Sequence, residues 1–251
     1  MVKNISEIYD FIRTIYLHYL EDGVVLLVIG GSLGRGNYVN GWSDADLLLV
    51  LSRTDAKTLH CVKICEKEIA ERFRLEVDTM IMSKKTLECT PVKMLHGKIK
   101  NFLFFIDRTK VLISKDINLP SVSYDDFVYG FWATYADQEK NYLRRNADID
   151  VNDRKSLEKL LKKNIKIIFL LLKQYCARED LVPCNYDEVL ILTQGIIPKK
   201  IRIKLQEYVA FRKNNEIPIL ANDILKREVS ISLDIFSNLG EIMTKSLNGN
   251  I

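Results

Sequence analysis

Residues Gly30 to Val50 read GGSLGRGNYVNGWSDADLLLV, a glycine pair followed within a dozen residues by two aspartates heading an apolar run. Just upstream, Val24 to Ile29 is continuous, apolar and rich in β-branched residues, the pattern of a buried strand, and Gly30-Gly31 ends it. Asp46 to Leu51 reads as a second strand. Strand residues two apart project from one face, roughly 6.6 Å apart along the chain, so Asp44 and Asp46 point the same way. Two ionised carboxylates side by side repel unless a cation lies between them, and hard oxygen donors suit magnesium or manganese. Upstream, the Gly30-Gly31 turn lets backbone approach a ligand, and Ser32 opens a short helix. Its free N–H groups, the Ser32 hydroxyl and the Arg35 guanidinium make a receptor for phosphate oxygens, although Arg35 reads almost as well as a solvated surface residue. A phosphate site beside a metal site is what a metal-chelated nucleoside triphosphate requires.

Two-metal phosphoryl chemistry holds its ions about 4 Å apart and needs a third carboxylate. The stretch RLEVDTMIM, Arg74 to Met82, reads as a third strand and offers two acids on one face, Glu76 and Asp78. Asp78 is the preferred third ligand, with Glu76 in reserve.

Outward from these strands, Ile5, Ile8, Ile12, Ile15, Tyr16 and Tyr19 recur at helical spacing behind Asn4 and Glu7, so the chain opens with a capped amphipathic helix. A second helix is expected between Thr54 and Phe73, and Val111 to Ser114 adds a possible edge strand. The order of elements implies a small α/β sheet with strand ends exposed together. Near Asp116 the texture changes at INLPSVS, and helical periodicity runs from there almost to the end. Expected helices are Tyr124 to Asn146, Arg154 to Cys176, Lys199 to Asn214 and Leu220 to Leu247, an all-α bundle. The domain reading is therefore 1–118 followed by 119–251. Lys155, Lys159, Lys162, Lys163 and Lys166 form a helical stripe that reads first as a wet face, and second as a phosphate or RNA contact.

At 47% hydrophobic and 28% charged, with a formal net charge of +4, the chain is ordinary globular material without a nucleic-acid footprint in its overall charge. The five cysteines, Cys61, Cys65, Cys89, Cys176 and Cys184, have no paired CxxC spacing, and MVKNISEIYDF lacks the apolar core of a signal peptide, so a cytoplasmic location is expected. Ile167 to Leu172, the longest apolar run, is far short of the ~20 residues of a membrane span. No Gly-Lys-Ser/Thr follows the glycines, which excludes a Walker P-loop, and the spacing of Gly30, Gly34 and Gly36 fails the Rossmann fingerprint.

Taken together, Gly31-Ser32, Asp44-Ala45-Asp46 and Val77-Asp78-Thr79 resemble the signature of the DNA polymerase beta-like nucleotidyltransferase superfamily, in the form of its small, template-independent, two-domain members. The resemblance covers residues 24 to 82. Thr79 departs from it, a polar residue where an apolar neighbour is usual. The resemblance implies an α/β (α+β) nucleotidyltransferase domain with a small mixed sheet, followed by a helical substrate-binding lid. It further implies that Asp44 and Asp46 ligate two Mg2+ or Mn2+ ions, that Asp78 ligates the ion activating the acceptor hydroxyl, and that Gly31, Ser32 and Arg35 bind the triphosphate. A nucleoside monophosphate would pass from an NTP, ATP first among them, to a hydroxyl of an aminoglycoside-like small molecule or an RNA end. The alternatives are a protein-modifying (AMPylating) regulator of toxin–antitoxin type and a nucleotide-binding module without turnover. Asp137 or Glu139 is a candidate general base by the same resemblance. Trp42 and Tyr38 either stack on a base or cover the turn. His18, His60 and His96 read as structural, and the lack of histidine after His96 argues against a ribonuclease role for the helical half.

Overall fold

Asn4 caps the first helix, α1 (Ile5–Leu20), in the computed structural model of the chain, which describes residues 4–126, 153–177, 181, 183 and 185–248. Its side chain accepts from the Ser6 N–H at 3.1 Å, while the Glu7 carboxylate pairs with Arg72. The strands follow their sequence patterns closely: β1 (Val24–Ile29), β2 (Ala45–Leu51) and β3 (Val77–Ser83), with β4 (Lys110–Ser114) later. Between them lie the four-residue helix α2 (Gly31–Gly34), then α3 (Ala56–Phe73), capped by Asp55, and two helices absent from the sequence reading, α4 (Lys84–Cys89) and α5 (Gly97–Phe104). β3 starts three residues later than the pattern suggests. Arg74 leaves α3 in a left-handed conformation, φ 54°, and residues 74–76 turn the chain before pairing begins.

The sheet order is β3-β2-β1-β4, with β2 and β3 parallel and the other pairs antiparallel. All six residues of β1 are buried because helices cover both faces. One face carries Leu27, Ile29, Leu47 and Leu49 against Ile8, Ile12 and Tyr16 of α1 and Val62, Cys65 and Ile69 of α3. The other carries Leu26, Val28, Leu48 and Val50 against Leu87 of α4 and Ile99, Phe102 and Leu103 of α5. Truncating any of these leucines to alanine would cost about 2–5 kcal/mol. The alternation explains Thr79, which lies between Asp78 and Met80 and so faces α1, where its hydroxyl shares a 3.2 Å hydrogen bond with Tyr16. Burial pushes the Cys65 thiol up to about 12, which suits a packing role.

The chain divides into two compact units, Met1–Gly130 and Phe131–Ile251. The described elements of the second are helices: α6 (Arg154–Cys176), α7 (Tyr186–Leu192), α8 (Lys199–Asn214) and α9 (Asn222–Asn248). α6 and α9 pack along each other, with Asn164 donating to the Ser232 hydroxyl at 2.8 Å inside the contact. Phe169 stacks on Tyr186 with centroids 3.9 Å apart, fixing α7 to α6. The ammonium of Lys204 joins the buried Glu228 at 2.8 Å, fixing α8 to α9. Along α6, Lys155, Lys159 and Lys163 are exposed whereas Lys162 and Lys166 are partly covered, and burial lowers the pKa of Lys162. Among the described residues no helix is long and apolar enough to cross a membrane.

Gly34 closes α2 with its Cα pressed on β1: an added Cβ would stand 1.9 Å from the Ile29 carbonyl oxygen. Backbone cannot yield as a side-chain tip can, so Gly34→Ala should destabilise the first unit by about 2 kcal/mol or more. Urea unfolding followed by circular dichroism reads this directly, as a lower midpoint at unchanged slope.

Candidate active site

β2 and β3 run parallel, so both begin at the same edge of the sheet, and their register sets Asp46 directly beside Asp78. Neighbouring strands lie about 4.8 Å apart, and residues in register project from the same face. That face is the one α4 and α5 cover, since Leu48, Val50 and the partly buried Met80 and Met82 continue the two rows. Asp44 lies two residues ahead of Asp46, and the Ala45 N–H donates to the Glu76 carbonyl at 2.8 Å, extending the pairing past the strand ends. Thus Asp44, Asp46, Glu76 and Asp78 gather at one edge.

β1 runs antiparallel to β2, which brings the end of β1 to that same edge. The Gly30 N–H donates to the Asp46 carbonyl at 2.9 Å, and the chain then turns through Gly31 with φ +61° into α2. A Cβ on Gly31 would lie 2.5 Å from Asp46 Oδ2, so glycine is required there twice over, by conformation and by space. Gly30 is held as tightly from the other side, with the Phe102 ring where its Cβ would be.

Ser32 and the loop after it are tied by a latch that the sequence did not reveal. The Ser32 hydroxyl donates to Ser43 Oγ at 2.7 Å, and Ser43 Oγ also accepts the Val39 N–H at 2.8 Å. Tyr9 of α1 donates its hydroxyl to the Leu33 carbonyl at 2.5 Å, anchoring the turn from below, and burial raises the pKa of that phenol. Arg35 follows α2 directly and is partly buried. Trp42 is buried. Tyr38 is partly buried with its hydroxyl on Asn40, and His96 caps α5 by accepting from the Lys98 N–H. Asp137 and Glu139 lie outside the described residues.

Lys98, from α5, completes the edge. Its ammonium is hydrogen-bonded to Asp78 Oδ2, and both side chains are about half exposed. Burial alone would lower the Lys98 pKa. The hydrogen bond and charge of Asp78, reinforced by Asp46 and Asp44, outweigh it and hold the ammonium above its ordinary value. Sequence reasoning passed over this residue because its only signal is a lysine in a short apolar segment, GKIKNFLF.

As the side chains stand, no three described His, Cys, Asp or Glu groups converge tightly enough to grip an ion. The donor set nevertheless fits a hard divalent cation. Asp46 and Asp78 are in register, Asp44 shares the edge, and the Lys98 ammonium is drawn by all three. The glycine turn lies directly against Asp46, so a triphosphate held by its backbone and a metal held by the carboxylates would be neighbours there.

Residues 5–104 match the family model described as a nucleotidyltransferase domain. These residues are a nucleotidyltransferase domain of the DNA polymerase beta-like superfamily. No curated protein sequence matches the chain. Among solved structures, the chain is similar to spectinomycin adenyltransferase AAD(9) from Enterococcus faecialis, crystallised with ATP and spectinomycin, at 13% identity and a TM-score of 0.60. The match covers 90% of this chain and 100% of that one, so the fold likeness extends beyond the nucleotidyltransferase domain into the helical part. The small mixed sheet with flanking helices, followed by a helical region, is the fold the sequence led one to expect, and the protein is a nucleotidyltransferase enzyme.

Gly31→Ala should leave the fold intact, at a cost of about 1–3 kcal/mol for the left-handed backbone, while displacing the Asp46 carboxylate. The expected result is a loss of nucleotidyl transfer of about a hundredfold or more, since misplacement of about 1 Å at a reacting centre costs that much. Turnover of the variant, compared at matched far-UV spectra, checks it.

Proposed function

We propose that the protein is a metal-dependent nucleotidyltransferase that moves a nucleoside monophosphate from ATP to a hydroxyl of an aminoglycoside-like small molecule. The observation that carries this reading is the register of Asp46 with Asp78 beside a glycine turn packed directly against the Asp46 carboxylate. The likeness along most of the chain to a spectinomycin adenyltransferase supports a small polyhydroxylated acceptor over an RNA end or a protein side chain.

In this reading Asp44, Asp46 and Asp78 would hold Mg2+ or Mn2+, and Glu76 takes no part. The metal, when bound, would neutralise phosphate charge and acidify the acceptor hydroxyl. Gly31 and Ser32 present backbone N–H groups and a hydroxyl to the phosphate tail, with Ser32 turning from Ser43 to do so. Arg35 adds a cation at the same end. The acceptor oxygen bonds to the α-phosphorus as the α–β anhydride bond breaks, its hydroxyl proton passes to solvent, and pyrophosphate leaves. Residues 1–118 supply this chemistry, and residues 119–251 supply acceptor binding.

The test incubates the protein and Mg2+ with each α-labelled nucleoside triphosphate and one of three acceptor pools: aminocyclitol and aminoglycoside compounds, total RNA, or cell protein. Label from ATP should enter the small-molecule pool, with pyrophosphate released. Asp44→Asn, Asp46→Asn and Asp78→Asn should bring transfer to background, while Glu76→Gln keeps it. Undiminished labelling by the three Asn variants would overturn the mechanism, and label in RNA or protein alone would overturn the acceptor.

A further inference from the structure

The strongest feature outside the assigned roles is the lysine that α5 delivers to the carboxylate edge. Asp44, Asp46 and Asp78 share that edge with Glu76, and in the absence of a metal their mutual repulsion needs a counter-charge. Lys98 supplies it: the ammonium bonds Asp78 and lies within the electrostatic reach of Asp46 and Asp44. The root of the side chain is fixed, because Ile99, Phe102 and Leu103 of the same helix are buried against the sheet and Phe102 fills the space beside Gly30. The tip is not fixed in the same way. It is half exposed, on a flexible four-carbon stem, and joined to a half-exposed partner. Exposed pairs of this kind contribute little to stability, so a divalent cation displaces such an ammonium readily.

We infer that Lys98 is an exchangeable counter-ion: its ammonium neutralises Asp78 before substrate arrives, yields that carboxylate to the metal, and passes to an oxygen of the incoming triphosphate. This rests on the reading of Asp44, Asp46 and Asp78 as metal ligands. The exchange is balanced in charge, because the metal replaces the ammonium on the carboxylate and the ammonium finds new negative charge within the length of its own side chain. Lysine suits the task as a compact point charge that binds phosphate without the fixed geometry of a guanidinium. No bond to Asp78 has to be rebuilt elsewhere in the protein. The same side chain would then favour the metal-free site when empty and the loaded site when nucleotide is present.

The test has two arms with opposite expected signs. Manganese binding to nucleotide-free protein, read by electron paramagnetic resonance of the free ion, should be roughly fivefold tighter in Lys98→Met than in the wild type, since a competing cation worth about 1 kcal/mol is gone. Binding of ATP in the presence of saturating Mg2+, read by calorimetry, should instead weaken by about tenfold or more in the same variant. Lys98→Arg keeps the charge and should restore most of both. Affinities that fall together in Lys98→Met would make Lys98 a packing residue, and affinities that both stay unchanged would make it a surface pair; each overturns the inference. Asp46→Asn serves as the control on the underlying reading. If that variant binds manganese as the wild type does, the carboxylates are not the metal site, and the metal assignment fails rather than the role of Lys98 within it.

Discussion

The parallel pairing of β2 with β3 is the constraint on which the rest of the site depends. In a parallel pair both strands start at one edge, so the residues that begin them are neighbours. Were the pair antiparallel over the same span, Asp78, second in its strand, would stand four residues along from Asp46, about 14 Å away. Parallel pairing needs a crossover long enough to span the sheet, and the eighteen residues of α3 provide it. The adjoining β1 must then run the other way, because only its C-terminal end can deliver the glycine turn to the same edge. A one-residue slip between β2 and β3 would turn Asp78 to the face occupied by α1. The leucine and isoleucine rows on both faces forbid it, so burial of apolar side chains is what holds the carboxylates together.

Bringing those carboxylates together is unfavourable in itself, and the structure moderates the cost in two ways. Asp78 stays about half exposed, which leaves water to screen its charge, and Lys98 supplies a nearby positive charge. The edge makes a geometric demand as well: Gly31 surrenders a side chain and adopts a left-handed backbone so that the turn can lie against Asp46. Strain and repulsion are thus concentrated at one edge, while β1 and β2 behind it are buried almost throughout.

The parts of this arrangement that were legible in the sequence are those governed by local periodicity. β1 is an unbroken apolar run, β2 is one after Asp46, and α1, α3, α6 and α8 carry long helical stripes, so their limits fall within a few residues of expectation. The aspartates stood out because a charged residue at the head of an apolar strand needs a reason. Other features depend on contacts between residues distant in the chain, and no window of sequence contains them. Lys98 meets Asp78 across twenty positions, and Ser43 latches Ser32 across eleven. α4 and α5 were missed because six and eight residues are too few for a period to declare itself. The late start of β3 turns on one left-handed residue, Arg74, whose side chain gives no hint of it.

α5 places Phe102 against Gly30 and Lys98 against Asp78, four residues apart on one stiff helical turn. The two ends of the site are therefore joined by a short rigid strut as well as by the sheet. A displacement of the glycine turn presses on the aromatic ring, and the same helix carries that push to the lysine. A substitution that shifted α5 would therefore disturb the packing of the glycine turn and the counter-charge on Asp78 together.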